Sequence, residues 1–163
     1  MPTHLSPRTL MALAGLGSAA LLIAALGFQA IGYAPCELCI LQRWPHFAAV
    51  VIAVAAVLMR GGRLWAWAGA LALALATGLA VYHSGVEWGF WPGPTKCSGG
   101  GDIAAMSVQD LLKAIEAAPV VRCDEVQWRL LGLSMAAWNA LLSAGLTVVW
   151  LLAGRGGLDL SRR

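Results

Sequence analysis

The sequence predicts an all-α membrane protein: a four-transmembrane-helix bundle with a short amphipathic helix in its second external loop. Three observations predict it. Of the 163 residues, 60% are hydrophobic and only 12% are charged, whereas soluble domains carry about 25% charge. Four stretches stay uncharged long enough to cross a bilayer, which takes roughly 20 mostly apolar residues. The basic residues then divide unevenly between the segments that join those stretches.

The first span is placed at 10–31, inside an uncharged block from Thr9 to Cys36. Its apolar core is long for a cleaved signal peptide and another span follows closely, so it is read as a retained helix. The second span is placed at 39–59. Its apolar part starts at Trp44, so it reaches full length only if Cys39 to Arg43 continue the helix into the interface. The third is placed at 64–82 and the fourth at 130–153. External loops at 32–43 and 83–129 complete a single integral-membrane domain over 1–163. All four spans are rich in Ala, Leu, Val and Gly, and small residues let helix backbones approach closely in lipid.

An even number of spans puts both termini on one side. That side carries Arg8, Arg60, Arg63, Arg155, Arg162 and Arg163 against Asp159 alone. The other carries Arg43, Lys96, Lys113, Arg122 and Arg129 against seven acidic residues, from Glu37 to Glu125. The excess of basic residues marks the terminal side as cytoplasmic. The net charge of +3 is thereby accounted for, and no nucleic-acid partner is called for.

In the long loop, Trp88, Phe90 and Trp91 suit an interfacial aromatic belt. Pro92-Gly93-Pro94 forbids regular structure, which leaves Cys97 on an extended, accessible segment. Ser107 can cap a helix with Asp110 three residues on. Val108, Leu111, Leu112 and Ile115 then share one apolar face, and Pro119 ends the element. This helix is expected to lie on the membrane surface, or to pack against a partner protein.

All four cysteines fall on the external side, where an even number argues for disulfide chemistry. A zinc site usually brings two close-spaced pairs, and Cys97 and Cys123 have no close partner, so no metal is expected. Cys97–Cys123 alone could be a structural staple. A Cys36–Cys39 bridge closes too small a loop to stabilise much, so redox chemistry is its expected purpose. Pro35 suits a helix start. Cys36 and Cys39 would then share a face near the positive end of the helix dipole. Arg43 follows one turn on, either snorkelling to lipid phosphate or stabilising negative charge on Cys39 and a reduced acceptor. His46 extends the same edge as an interfacial anchor or acceptor contact. His83 is either a structural histidine or a proton carrier. No nucleotide, haem or cluster motif appears. The acceptor available at this depth is a lipid-dissolved quinone, whose two electrons and two protons match one dithiol.

Three motifs resemble one known family. They are Pro35-Cys36-x-x-Cys39 with Arg43, Trp91-Pro92-x-Pro94-x-x-Cys97, and Cys123 followed by Gln127-Trp128-x-x-Leu131-Gly132-Leu133-x-Met135-x-x-Trp138. The chain is similar to the disulfide bond formation protein B family, DsbB, over nearly its whole length. That resemblance implies a multi-pass protein of a bacterial inner membrane, with its external loops in the periplasm. It implies a protein-dithiol:quinone oxidoreductase using ubiquinone or menaquinone, with a DsbA-like periplasmic thiol oxidase as partner. By the same resemblance, the partner attacks Cys97 of a Cys97–Cys123 disulfide and Cys123 then attacks Cys36. Cys39 leaves as a thiolate beside Arg43 and the quinone. Apart from the resemblance, His83 and His46 are further candidates for quinone contact. Two alternatives stand beside it. A vitamin K epoxide reductase-like enzyme carries its C-x-x-C near the last helices, unlike Cys36 and Cys39. A non-catalytic scaffold would hold static disulfides.

Overall fold

A computed structural model describes residues 4–94, 107–109, 112 and 121–159. Its helices are α1 (Pro7–Ala30), α2 (Glu37–Leu58), α3 (Arg63–Glu87) and α4 (Met135–Gly154). All four are long and apolar enough to cross a membrane. They pack as a ring: α1 on α2, α2 on α3, α3 on α4, and α4 back on α1. The ring leaves α1 and α3 as a diagonal pair that barely meets. Four two-residue strands are added: β1 (His4–Leu5), β2 (Arg129–Leu130), β3 (Leu133–Ser134) and β4 (Leu158–Asp159). β1 pairs antiparallel with β4, His4 opposite Asp159 and Leu5 opposite Leu158, so the chain's two ends meet at one end of the bundle.

Local chemistry sets the helix ends. Ser6 caps α1 by accepting the Thr9 N–H at 3.2 Å, with Pro7 at the first helical position. At the end of α2, Arg60 adopts the left-handed region (φ 52°), and the Gly61 N–H reaches back to the Ala56 carbonyl at 2.7 Å. That closes the helix so tightly that α3 begins at Arg63.

Two spans differ from the boundaries read off the charge pattern. α3 continues past Tyr82 to Glu87, with His83, Ser84, Gly85 and Val86 all buried. Hydropathy falls there, but the polar groups find partners inside the bundle. α4 begins at Met135, not at 130. The residues before it form a β2–β3 hairpin whose turn, Leu131 (φ 52°) and Gly132 (φ 82°), lies in the left-handed region at both positions. Of the amphipathic surface helix, residues 108, 109 and 112 are helical, with Val108 and Leu112 exposed. Asp110, Leu111, Ile115 and Pro119 lie outside the described residues.

The interior is built from small side chains and the exterior from large ones. Ala14, Ala49, Ala53, Ala56, Ala70 and Ala76 are buried around Leu10, Met11, Leu73 and a fully buried Trp150. Ile23, Leu26, Val54, Leu71, Leu75 and Val148 face outward. Lipid is as apolar as leucine, so large side chains lose nothing by facing it, and close backbone approach supplies the packing. Gly69 shows the closeness required: a Cβ there would overlap the Trp150 ring.

Gly69→Ala is therefore expected to overpack the α3–α4 contact and cost about 1–3 kcal/mol. Gly145→Ala on α4, where a Cβ meets open space, should leave stability unchanged or slightly improved. Thermal unfolding in detergent compares them. Equal shifts would show that Trp150 does not set the α3–α4 distance.

Candidate functional site

The segment Tyr33-Ala34-Pro35 delivers Cys36 in an extended conformation (φ −75°, ψ 171°) as the N-cap of α2. The helix proper starts one residue later, at Glu37, so Pro35 precedes the cap and lies outside the first turn. The Cys36 sulfur accepts the Cys39 N–H at 3.2 Å, in the place where a serine or aspartate oxygen usually sits. A cap and the third helical residue face each other, which brings the two sulfurs to 2.7 Å. A disulfide spans about 2.05 Å, so a movement of under an ångström closes the bond. Cys36 is buried and Cys39 partly exposed.

The helix dipole alone favours a thiolate at Cys36. Its surroundings reverse that preference: the hydrogen bond to the Cys39 sulfur, followed by burial, pushes the Cys36 thiol well above its ordinary value.

Behind the pair runs a continuous polar chain through the apolar interior. His83 of α3 places Nε2 3.6 Å from the Cys36 sulfur and Nδ1 2.8 Å from the Gln42 amide nitrogen. That nitrogen also donates to the Leu38 carbonyl at 3.1 Å. The Gln42 oxygen accepts from the Asn139 amide at 2.7 Å. The Asn139 oxygen accepts from His46 Nε2–H at 3.1 Å and from the Ser143 hydroxyl at 3.2 Å.

Counting donors and acceptors assigns the protons. An amide nitrogen faces His83 Nδ1, so that atom accepts and the ring proton sits on Nε2, beside the Cys36 sulfur. Asn139 gives its nitrogen to Gln42, so its oxygen takes the His46 Nε2 proton. His46 Nδ1 then holds a bare lone pair, and it is buried with no hydrogen-bond partner among the described residues.

Charged groups surround the pair. Arg43 donates to the Gln29 side-chain oxygen at 2.9 Å. The Glu87 side chain is buried. Its Oε1 lies 4.0 Å from His83 Nε2, and its other oxygen accepts the Ser134 hydroxyl, the N-cap of α4. Cys123 is fully buried beside Cys36, Leu38 and Val86, and its backbone hydrogen-bonds the His83 ring. Arg122 grips the Asp124 carboxylate with two hydrogen bonds, at 3.0 and 2.6 Å. This pairing holds the Asp124 carboxyl below its usual range and clamps the turn that carries Cys123.

These groups line one side of a cavity of about 390 Å³ that opens between the helices. Cys36, Cys39, Arg43, His46, His83 and Glu87 reach its wall, and Phe28, Tyr33, Trp128, Trp138 and Leu142 supply much of the apolar remainder. Of the residues singled out in the sequence, five share this cavity and Cys123 lies against Cys36. Cys97 lies outside the described residues. His46 departs from the interfacial anchor expected of it, being only 3% exposed: Asn139 and Ser143 satisfy its Nε2 inside the bundle. Gln42, Asn139, Ser143 and Glu87 went unnoticed in the sequence. Their signal was there: Gln42 with His46, and Asn139 with Ser143, are polar residues one helical turn apart within apolar spans.

A family model described as disulfide bond formation protein DsbB matches residues 7–153. The chain belongs to the DsbB family. A relative named disulfide bond formation protein B, from Polaromonas sp. (strain JS666), is 34% identical over 155 residues, covering 90% of this chain and 89% of that one. Relatives with the same name from Polaromonas naphthalenivorans and Verminephrobacter eiseniae are 33% and 32% identical, covering 91% of this chain in both cases and 92% and 87% of theirs. No solved structure matches the chain. Membership in DsbB sets aside the likeness to vitamin K epoxide reductase, in keeping with a cysteine pair at the start of α2.

In this DsbB-family site, Gln42→Glu replaces the donor facing His83 Nδ1 with an acceptor. The ring proton is expected to move from Nε2 to Nδ1, away from Cys36. Nitrogen-15 shifts of labelled histidine read the tautomer directly, and an unchanged Nε2–H form would refute the assignment. Gln42→Leu strands the Asn139 donor and should cost about 1–3 kcal/mol in unfolding.

Proposed function

We propose that this chain is an inner-membrane protein-dithiol:quinone oxidoreductase. It reoxidises a DsbA-like periplasmic thiol oxidase by disulfide exchange and passes the electrons to ubiquinone or menaquinone. The observation that carries this reading is a sulfur pair, poised to open and close, on the wall of a largely apolar cavity between membrane-spanning helices. Family membership supports disulfide chemistry, and the cavity supports a lipid-soluble acceptor.

The residues present fit a quinone. The cavity volume falls in the range of roughly 300–1,000 Å³ common for small-molecule pockets. Its walls are mostly apolar, with a few convergent polar groups. One of these residues, His46, has a buried ring nitrogen with no hydrogen-bond partner among the described residues. Arg43, His46 and Cys39 would hold the ring, and His83 stands behind them. A bound quinone supplies a two-electron, two-proton acceptor.

The chain's own residues perform the exchange. The partner's thiolate attacks Cys97 of a Cys97–Cys123 disulfide, so one S–S bond forms as another breaks and Cys123 is released as a thiolate. Cys123 lies against Cys36, and its attack on that sulfur expels Cys39. Cys39 leaves from the first turn of α2, where the backbone N–H groups and Arg43 stabilise its negative charge. His83 Nε2–H faces the Cys36 sulfur and can donate a hydrogen bond to it as negative charge develops there. The partner's second thiolate displaces Cys97 and completes the partner's disulfide; Cys97 then attacks Cys123, which restores Cys97–Cys123 and releases Cys36. The Cys36–Cys39 dithiol closes again as its two electrons and two protons pass to the quinone, so the pair ends where it began. Orientation follows the basic residues: the end where β1 meets β4 faces the cytoplasm, and the cysteines face the periplasm.

Purified protein supplied with a reduced DsbA-like oxidase should reduce a soluble ubiquinone analogue, followed by its ultraviolet absorbance. Cys36→Ser and Cys39→Ser should each abolish steady turnover, and full turnover in either variant would sink the proposal. Arg43→Ala should raise the quinone KM about tenfold, the loss of one charge-assisted contact, while exchange at Cys97 proceeds unchanged. An unaltered KM would assign Arg43 to Gln29 and lipid alone. A membrane-impermeant maleimide should reach the reduced cysteines from the periplasmic side, and labelling from the cytosol would invert the topology.

A further inference from the structure

Read in the sequence for cysteine pairs, the chain offers no metal site, because only Cys36 and Cys39 are close-spaced. Folding adds a third donor from 47 residues away: His83 Nε2 stands 3.6 Å from the Cys36 sulfur. The two sulfurs and a ring nitrogen of His83 all lie within 4.8 Å of one another. Two thiolates and an imidazole are the donor set that thiophilic divalent ions select, tetrahedral zinc above all.

We propose that the reduced Cys36–Cys39 pair and His83 form a chelate for a thiophilic divalent cation such as zinc, which locks the pair as a dithiolate and stops turnover. It rests on the function proposed above only in requiring that the pair pass through its reduced form.

The geometry is close to what such an ion needs. Zinc bonds of about 2.3 Å to sulfur and about 2.0 Å to nitrogen put tetrahedral donors roughly 3.5–3.8 Å apart. The Cys36–His83 separation already meets this. The sulfurs, now 2.7 Å apart, must open by about 1 Å. Cys36 is packed against Leu38, Val86 and Cys123, whereas Cys39 is partly exposed, so Cys39 is the sulfur that moves. Water can fill the fourth position. Charge also balances: two thiols release two protons to water, and the two thiolates neutralise the ion inside a largely apolar site. The disulfide form offers no thiolate, so uptake depends on reduction.

One feature must change. His83 Nε2 now carries the ring proton, and a metal needs the lone pair there. The proton moves to Nδ1 when the Gln42 amide turns to present its oxygen and the Asn139 amide turns with it, so that a donor still faces an acceptor between them. Gln42 is thus the outer partner that orients the ligand, a position that commonly carries a carboxylate or carbonyl in metal sites. A permanent acceptor at Gln42 should therefore strengthen the site.

The test uses full-length protein in detergent, reduced anaerobically with a phosphine and titrated with cobalt(II). Thiolate-to-cobalt charge-transfer bands and the visible bands of a tetrahedral ion should appear at one equivalent, and zinc should bleach them. Cys97→Ser should keep them, and Cys36→Ser should lose them. His83→Ala should weaken binding at least tenfold. Gln42→Glu should tighten binding, a gain that misfolding cannot produce. Bands absent from the reduced protein, equal in the oxidised protein, or indifferent to both His83→Ala and Gln42→Glu would overturn the proposal. Neither quinone nor partner is present in this titration, so failure of quinone turnover would leave its result standing, and the reverse also holds.

Discussion

The site depends on one hydrogen bond, from the Cys39 N–H to the Cys36 sulfur. It makes a thiol do the work of a helix cap, and that single role fixes three things at once. It sets where α2 begins, it holds two sulfurs nearly in bonding contact, and it aims both at the positive end of a membrane-spanning helix. Sulfur is a weaker acceptor than the oxygen of a serine or aspartate. The cap therefore contributes less to helix stability and leaves its atom free to exchange bonds. A C-x-x-C motif at a helix start is a cap and a close sulfur pair in the same four residues.

The polar chain behind the pair follows from placing a histidine and a glutamine where lipid forbids unsatisfied groups. His83, Gln42, Asn139, His46 and Ser143 come from three different helices and satisfy one another almost completely. The exception is one nitrogen of His46. Such a chain has a direction, since each amide that donates on one side must accept on the other. The proton on His83 is thereby tied to the lone pair on His46, far deeper in the bundle. This links sulfur chemistry at the rim to the cavity wall below it.

Much of this was legible beforehand. The four spans, the cysteine pair and Arg43 are visible because each breaks a uniform background: charge within apolar runs, or close-spaced thiols in a short loop. The ends of α3 and α4 were less legible. Hydropathy falls at His83 and recovers at Leu130, yet the α3 helix persists because Ser134 and Gln42 satisfy the polar groups there, and the α4 helix waits because Leu131-Gly132 makes a turn. Gln42, Asn139 and Ser143 look like ordinary polar residues until three helices bring them together. Pairing across helices is a property of packing, and the periodicity of any one segment does not contain it. Cys97 remains known from its motif alone.

The antiparallel meeting of β1 and β4 bears on how the molecule is assembled. Residues near the beginning and the end of the polypeptide hydrogen-bond to each other, and α4 fills the gap between α3 and α1. Without α4, Gln42 and His46 lack the Asn139 that joins them. The sulfur pair and His83 come from α2 and α3 alone, so the fourth helix adds the link behind them: closing the ring and completing the polar chain are one event.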